Sequence, residues 1–248
     1  MNIEILPCDG STNYLGRMIN FSDYTNTEVE HRIAQAWKKF SVHRAELTNR
    51  NYSINQRIRL FDGIVTPTAL YGSAIWALTK NQDLKLLRTQ RRMLRIILGH
   101  GRRRIQHHTR TSSNAPVQQG RDAEDNDEDD LEPWVDWIVR VTREAEARLT
   151  QCKIEDWVVT QRRYKWQWAA HIASMDHDRW SFLAARWNPD SQLSAKRAQG
   201  KPKTRWQDNI SQFLRQHGSY EEWLYTAADR IYWESMEDAF CQCAGSSE

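Results

Sequence analysis

Between Thr66 and Gly99 the chain reads TPTALYGSAIWALTKNQDLKLLRTQRRMLRIILG, and the second half of that stretch suits one regular structure. Leu84, Leu87, Leu94 and Leu98, with Met93 and Ile97 beside them, recur at helical spacing. Residues 84–98 are therefore expected to form a helix with one buried stripe. Lys85, Arg88, Arg91, Arg92 and Arg95 fill the other side. Gly99 stands where helices commonly end in left-handed backbone, and Arg102, Arg103 and Arg104 follow it. No Asp or Glu occurs between Asp83 and Asp122. A run of one-signed charge on an anchored helix fits a surface that meets phosphates. The plainer alternative is a solvated helix face.

The residues before this helix supply partners for its apolar stripe. Thr27 with Glu30 reads as a capping box, after which Val29, Ile33, Trp37 and Phe40 repeat at helical spacing, with Leu47 extending the face. Ser53 is suited to cap a further helix through Ile54, Ile58, Phe61 and Val65. Pro67 must bend or end that helix, because it donates no N–H and clashes one turn back. Upstream, Ile3 and Ile5 alternate, Pro7 to Thr12 carries turn residues, and Tyr14 to Ile19 resumes an extended pattern. The expectation is a short β-hairpin in residues 1–20 and a compact helical bundle over residues 21–105.

Charge divides the rest. Residues 1–121 hold 19 Lys and Arg against 8 acids, residues 122–132 hold 8 acids and no base, and residues 133–248 balance 16 against 16. The total of +3 conceals a basic half, an acidic bridge and a neutral half. Residues 106–132 have too few apolar side chains to offset the entropy of ordering, so they read as a disordered basic-then-acidic linker. Beyond Pro133 the pattern is helical throughout, on stripes through Trp134–Leu149, Trp157–Met175, Trp180–Trp187, Trp206–Leu214 and Trp223–Phe240. Ten of the chain's 12 tryptophans lie here. Core packing is the expected role of Trp157, Trp168, Trp206 and Trp223; Trp166 falls off the main stripe and could stack on a base, but the plainer expectation is that it fills the second face of a Trp-rich bundle. The fold class that follows is mainly α: a hairpin, a helical bundle, a linker, and a second, Trp-rich bundle over residues 133–248.

Several function classes find no support. Cys8, Cys152, Cys241 and Cys243 make neither a disulfide framework nor a zinc pattern, and no apolar run approaches a membrane span. An intracellular location, nuclear or cytoplasmic, is expected. His171, Asp176, His177 and Asp178 straddle a helix end without a second ligand group, so no metal is expected. There is no Gly-rich phosphate loop and no convergent acid–base set, hence no cofactor and no catalytic residue is assigned.

The ordered motifs resemble a known family. Tyr14-Leu15-Gly16, Ile33-Ala34-Gln35-Ala36-Trp37, Pro67 before Leu70-Tyr71-Gly72, Trp76, and Arg91-Arg92-Met93-Leu94-Arg95-Ile96-Ile97-Leu98-Gly99 are similar to the part of non-LTR (LINE-type) retrotransposon reverse transcriptases that follows the polymerase active site. Trp168-Ala169-Ala170-His171, Gly200 to Ile210, and Trp223 with Ala228-Asp229-Arg230 and Trp233 resemble the tail of the same polyproteins.

The resemblance implies that residues 1–20 end the palm, residues 21–105 form the thumb, and residues 133–248 form a C-terminal helical domain. It makes Tyr14, Gly16, Arg17, Lys85, Arg88, Arg91, Arg92, Arg95, Arg102, Arg103 and Arg104 the nucleic-acid-binding residues, with RNA or RNA–DNA duplex as the partner. Phosphate contact of this kind carries no sequence information. The family's paired catalytic aspartates have no counterpart, since Asp129-Asp130 lies in the acidic linker, and this chain alone is expected not to polymerise DNA. Two alternatives stand beside this reading: a Trp-rich module that binds a protein partner, and a decayed gene remnant.

Overall fold

The computed structural model describes residues 7, 10–20, 23–105, 131–186, 205–219 and 222–243, and these are mainly helical. The expected linker, residues 106–132, lies outside the described residues apart from Leu131 and Glu132, as do Ile3, Ile5, Trp187 and the Gly200–Lys203 stretch.

The hairpin is built from β1, Ser11–Tyr14, and β2, Arg17–Asn20, paired antiparallel with Tyr14 opposite Arg17. Its turn is Leu15-Gly16, not the Pro7–Thr12 stretch expected from turn-forming residues. Leu15 and Gly16 both take positive φ, at 50° and 76°, the two-residue geometry that matches strand twist. The Asn13 side chain closes the turn by accepting from the Gly16 N–H at 3.1 Å.

Helix α1, Tyr24–Val42, starts one turn earlier than the Thr27–Glu30 box indicated. Asp23 caps it, accepting from the Asn26 N–H, while Glu30 is drawn away to Lys85. The short α2, Arg44–Thr48, leads to α3, Ile54–Ile64, which opens on a reciprocal Ser53–Gln56 capping box. Pro67 does break the helix. It falls in the first turn of a separate α4, Thr66–Ala69, where its missing N–H costs nothing. A single 3-10 turn, Ser73–Ile75, then precedes α5, Lys80–Leu98. The Gln82 side chain closes the start of α5 by accepting from the Thr79 N–H at 2.8 Å, and Gly99 ends the helix at φ 65° as expected.

The buried stripe of α5 is Leu86, Gln90, Met93, Leu94, Ile97 and Leu98. Leu84, expected on it, is exposed. A polar residue on the inner face shifted the apparent phase of the apolar repeat. On α1 the inner face likewise carries Glu28 and Arg32 between Val29, Ala36 and Phe40.

Past the linker come α6, Trp134–Cys152; α7, Trp157–Ala173; α8, Trp180–Arg186; α9, Asp208–Gln216; α10, Trp223–Ala228; and α11, Arg230–Gln242. The last two were expected as one helix. They are separated at Asp229, whose extended backbone and side chain cap α11. Several aromatic and aliphatic residues expected on stripes are at the surface: Trp134, Tyr164, Trp180, Leu183 and Ile231 are exposed, while Phe182, Trp166 and Trp233 are buried.

Two apolar clusters result, and the first does not stop at the linker. Val29, Phe40, Phe61, Trp76, Leu86 and Met93 share it with Val141, Ala145, Leu149 and Trp157. The second gathers Trp166, Ile172, Phe213, Trp223, Trp233 and Phe240. At its centre Trp166 and Trp233 stack with ring centroids 3.7 Å apart, and each indole N–H donates to the other residue's backbone carbonyl. Trp166 is therefore a core residue and unavailable to a base. Its burial follows from α7 having two inner faces, one for each cluster.

Candidate nucleic-acid interface

Helices α1 and α5 lie side by side and run in the same direction. Lys85, near the start of α5, reaches Glu30 at 2.7 Å and Asn26 at 3.2 Å near the start of α1. Two turns on, the Arg92 guanidinium sits over the Trp37 ring, 5.4 Å from its centroid. Between them Arg88 is exposed and has no ion pair among the described residues. A recess of about 540 Å³ opens at the start of this seam, lined by Asn26, Thr79, Gln82, Lys85 and Arg88 among others.

The remaining cations of α5 face elsewhere. Arg91 pairs with Glu146 of α6 at 2.6 Å. Arg95 donates to the Thr142 hydroxyl at 2.9 Å, and its burial, with Arg92 and Arg91 nearby, lowers its pKa. The stretch without acids is thus relieved in space by Glu30 and Glu146, which nothing in residues 84–121 announced.

The cations beyond α5 are tied to the start of α6. Arg102 donates to the Glu132 carbonyl at 2.6 Å, the Arg103 backbone exchanges hydrogen bonds with Glu132, and Arg104 bridges to Leu131. Arg140, bidentate on Glu132, holds that carboxyl down to about 2. Arg102, Arg103 and Arg104 are thus joined to Leu131 and Glu132, with the Arg103 and Arg104 side chains exposed.

The hairpin residues are docked on α1 through a buried charge cluster. Glu28 is fully buried, accepts from the Met18 N–H at 2.6 Å, and pairs with Arg32 at 2.9 Å and Arg17 at 3.6 Å. Arg32 also donates to the Gly16 carbonyl and lies over the Tyr71 ring, whose hydroxyl donates to the Leu15 carbonyl at 3.3 Å. Gly72 is required beside this cluster, since its φ is 67° and a Cβ there would come within 3.0 Å of the Arg17 guanidinium. Arg17 is thus half-buried and held by Glu28, and Tyr14 is left exposed at the tip.

Of the sequence-derived residues, Lys85, Arg88 and Arg92 share the α1–α5 seam, Arg91 and Arg95 line the α5–α6 contact, and Tyr14, Gly16 and Arg17 belong to the hairpin. Trp37 joins the seam without having been singled out, although its place on the α1 stripe put it beside α5. Among the described residues no group of His, Cys, Asp and Glu could hold a metal, and His177 stacks on Phe182 instead. No described helix is long and apolar enough to cross a membrane.

The chain is 26% identical over 227 residues to a transposon-derived protein of Caenorhabditis elegans, an alignment that takes in 89% of this chain and 67% of that protein. No protein-family profile matches the chain. No solved structure matches it either.

Proposed function

We propose that this chain is the C-terminal part of a retrotransposon-encoded reverse transcriptase, without the catalytic aspartates, and that it binds RNA or RNA–DNA duplex through phosphates along the α1–α5 seam. The similarity to a transposon-derived protein supports the origin. The observation that carries the binding is the seam itself, with Arg88 free of any acid among the described residues and Arg92 held over Trp37 beside it. Lys85 is already matched by Glu30, so it contributes less net charge, and Arg91 and Arg95 are engaged by α6.

The test is fluorescence anisotropy with a labelled RNA–DNA duplex over a salt series. Arg88→Ala and Arg92→Ala are each expected to weaken binding and to flatten the salt slope by about one unit. Arg91→Ala and Lys85→Ala are expected to do less. Affinity that ignores salt, or survives the Arg88/Arg92 double substitution, would refute the reading.

A second reading has one observation in its favour: Trp180 is 85% exposed and Ile231 84% in the Trp-rich half, as a protein-binding face would have them. Sedimentation of the full chain at increasing concentration tests the case in which the partner is a second copy.

A further inference from the structure

The recess of about 540 Å³ at the start of the α1–α5 seam has two helices beginning beside it, and they begin differently. Helix α1 is closed by Asp23, whose carboxylate accepts from the Asn26 N–H. Helix α5 is left open. The Thr79 side chain makes no cap hydrogen bond, and the Lys80 and Asn81 N–H groups meet no acceptor among the described residues. The amino end of a 19-residue helix thus reaches the recess with unmet donors and the positive end of its dipole.

Gln82 adds a donor of a different kind. It lines the recess though only 7% exposed, and the Thr79 N–H decides the orientation of its carboxamide by donating to Oε1 at 2.8 Å. Nε2 is left as the donor. It meets no acceptor among the described residues and is not one of the polar atoms shut away from solvent, so it opens on the recess. The walls hold two cations, Lys85 and Arg88, against one carboxylate, that of Asp23. Asp23 is committed to α1, and Lys85 is matched by Glu30 at 2.7 Å. Asp83, in the first turn of α5, turns away to Arg162 of α7 at 2.9 Å. The uncommitted charge is that of Arg88, exposed and without an ion pair among the described residues.

We infer that this recess seats a phosphate group, held by the Lys80 and Asn81 amides, Gln82 Nε2 and the Arg88 guanidinium. Donors from a helix end, a carboxamide and a guanidinium suit oxygens that point apart, as on a phosphate, better than the two coplanar oxygens of a carboxylate. That the phosphate belongs to a nucleic-acid strand rests on the duplex-binding reading, and on that reading its source is a terminal monoester or an internal diester.

The test is an NMR titration of the isotope-labelled full chain with sodium phosphate at constant ionic strength. The Lys80 and Asn81 amides and the Gln82 side-chain amide are expected to shift together on one saturating curve, with a dissociation constant of about 10 mM or tighter. Gln82→Glu keeps the acceptor for Thr79 and puts an oxygen where the donor was, and should weaken phosphate about tenfold or more. Arg88→Ala, at an exposed position, should weaken it about fivefold and decides the matter if Gln82→Glu does not fold. No saturable shift up to about 50 mM, or unchanged affinity in the deciding variant, would overturn the proposal. RNA–DNA duplexes with and without a terminal phosphate then tell the sources apart. Tighter binding of the phosphorylated duplex, lost in Gln82→Glu, assigns the seat to a strand end, and equal binding weakened by Gln82→Glu assigns it to an internal diester. Binding of both duplexes untouched by Gln82→Glu would remove the seat from the seam. Phosphate that saturates the amides while neither duplex binds would sink the duplex-binding reading and leave the seat standing.

Discussion

Lys165 is an ammonium buried in α7 at 1% exposure, with its Nζ donating to the Trp76 carbonyl at 3.1 Å and lying 5.4 Å from the Trp206 ring centroid. Burial lowers its pKa to about 7, opposed by the more distant Asp83 and Asp208 and reinforced by Arg162. The unfolded chain, with a lysine near 10.5, therefore binds more protons than the folded one between about pH 7 and 10.5, and stability rises with pH across that window. Below about 7 the penalty is fully present, on the order of 5 kcal/mol at most. Lys165→Met should remove this term, so the variant gains less stability than the parent between pH 6 and pH 9 in urea titrations. Equal pH profiles would show that Lys165 is not the titrating group. Trp157 is the other residue with disproportionate weight: it stacks on Phe61, with ring centroids 6.0 Å apart, and donates to Thr66 and Gln90. Trp157→Ala is expected to cost about 3–5 kcal/mol, a large part of a domain's stability, and Trp157→Phe less. Thermal unfolding of the two variants compares them directly.

Among the elements, the hairpin is the one that could not stand alone, because two strands leave a face uncovered. It is held by Glu28, which satisfies a strand N–H and faces two guanidinium groups at once. Glu28→Ala leaves Arg17 and Arg32 crowded and unneutralised, and is expected to cost about 3–5 kcal/mol. Fast amide exchange should then appear at Met18 in the hairpin while α3 and α5 stay protected. Uniform loss of protection would mean instead that Glu28 holds the whole bundle. The 3-10 turn Ser73–Ile75 plays a comparable part between the two clusters. Gln161 donates to the Ser73 carbonyl at 3.0 Å, Trp206 to that of Ala74 at 2.8 Å, and Lys165 to that of Trp76. A short turn whose Ser73 and Ala74 carbonyls, with that of Trp76 beside it, are met by residues from beyond the linker works as a socket for the second half.

For the whole molecule, the shared first cluster predicts strong interdependence. Residues 23–105 alone would expose the surface that Val141, Ala145, Leu149 and Trp157 cover, and residues 131–243 alone would expose those side chains. Neither fragment is expected to unfold cooperatively, while mixing the two should restore a sharp transition and near-UV signal from the buried tryptophans. A cooperative transition in the isolated 23–105 fragment would show that the first bundle is self-sufficient. The Arg162 bridge adds to the coupling, since it pairs with Asp83 at 2.9 Å and donates to the Cys241 and Cys243 carbonyls.

Local chemistry in the sequence determined the existence of most helices and several of their ends. The Ser53 cap, the break at Pro67 and the Gly99 stop are decided by groups a few residues apart, so periodicity and capping rules suffice to find them. The mainly helical class and the row of cations on α5 were legible for the same reason. Which cations remain free was not. Glu30 and Glu146 come from distant segments, and only packing brings them to Lys85 and Arg91. The phase of the α5 and α7 stripes was also decided in three dimensions. Gln90, Gln161 and Lys165 are polar residues whose partners, Trp157, Ser73 and Trp76, lie from 67 to 89 residues away. A buried polar group is stable only once its partner is in place, and hydrophobic periodicity contains no term for a partner that far along the chain.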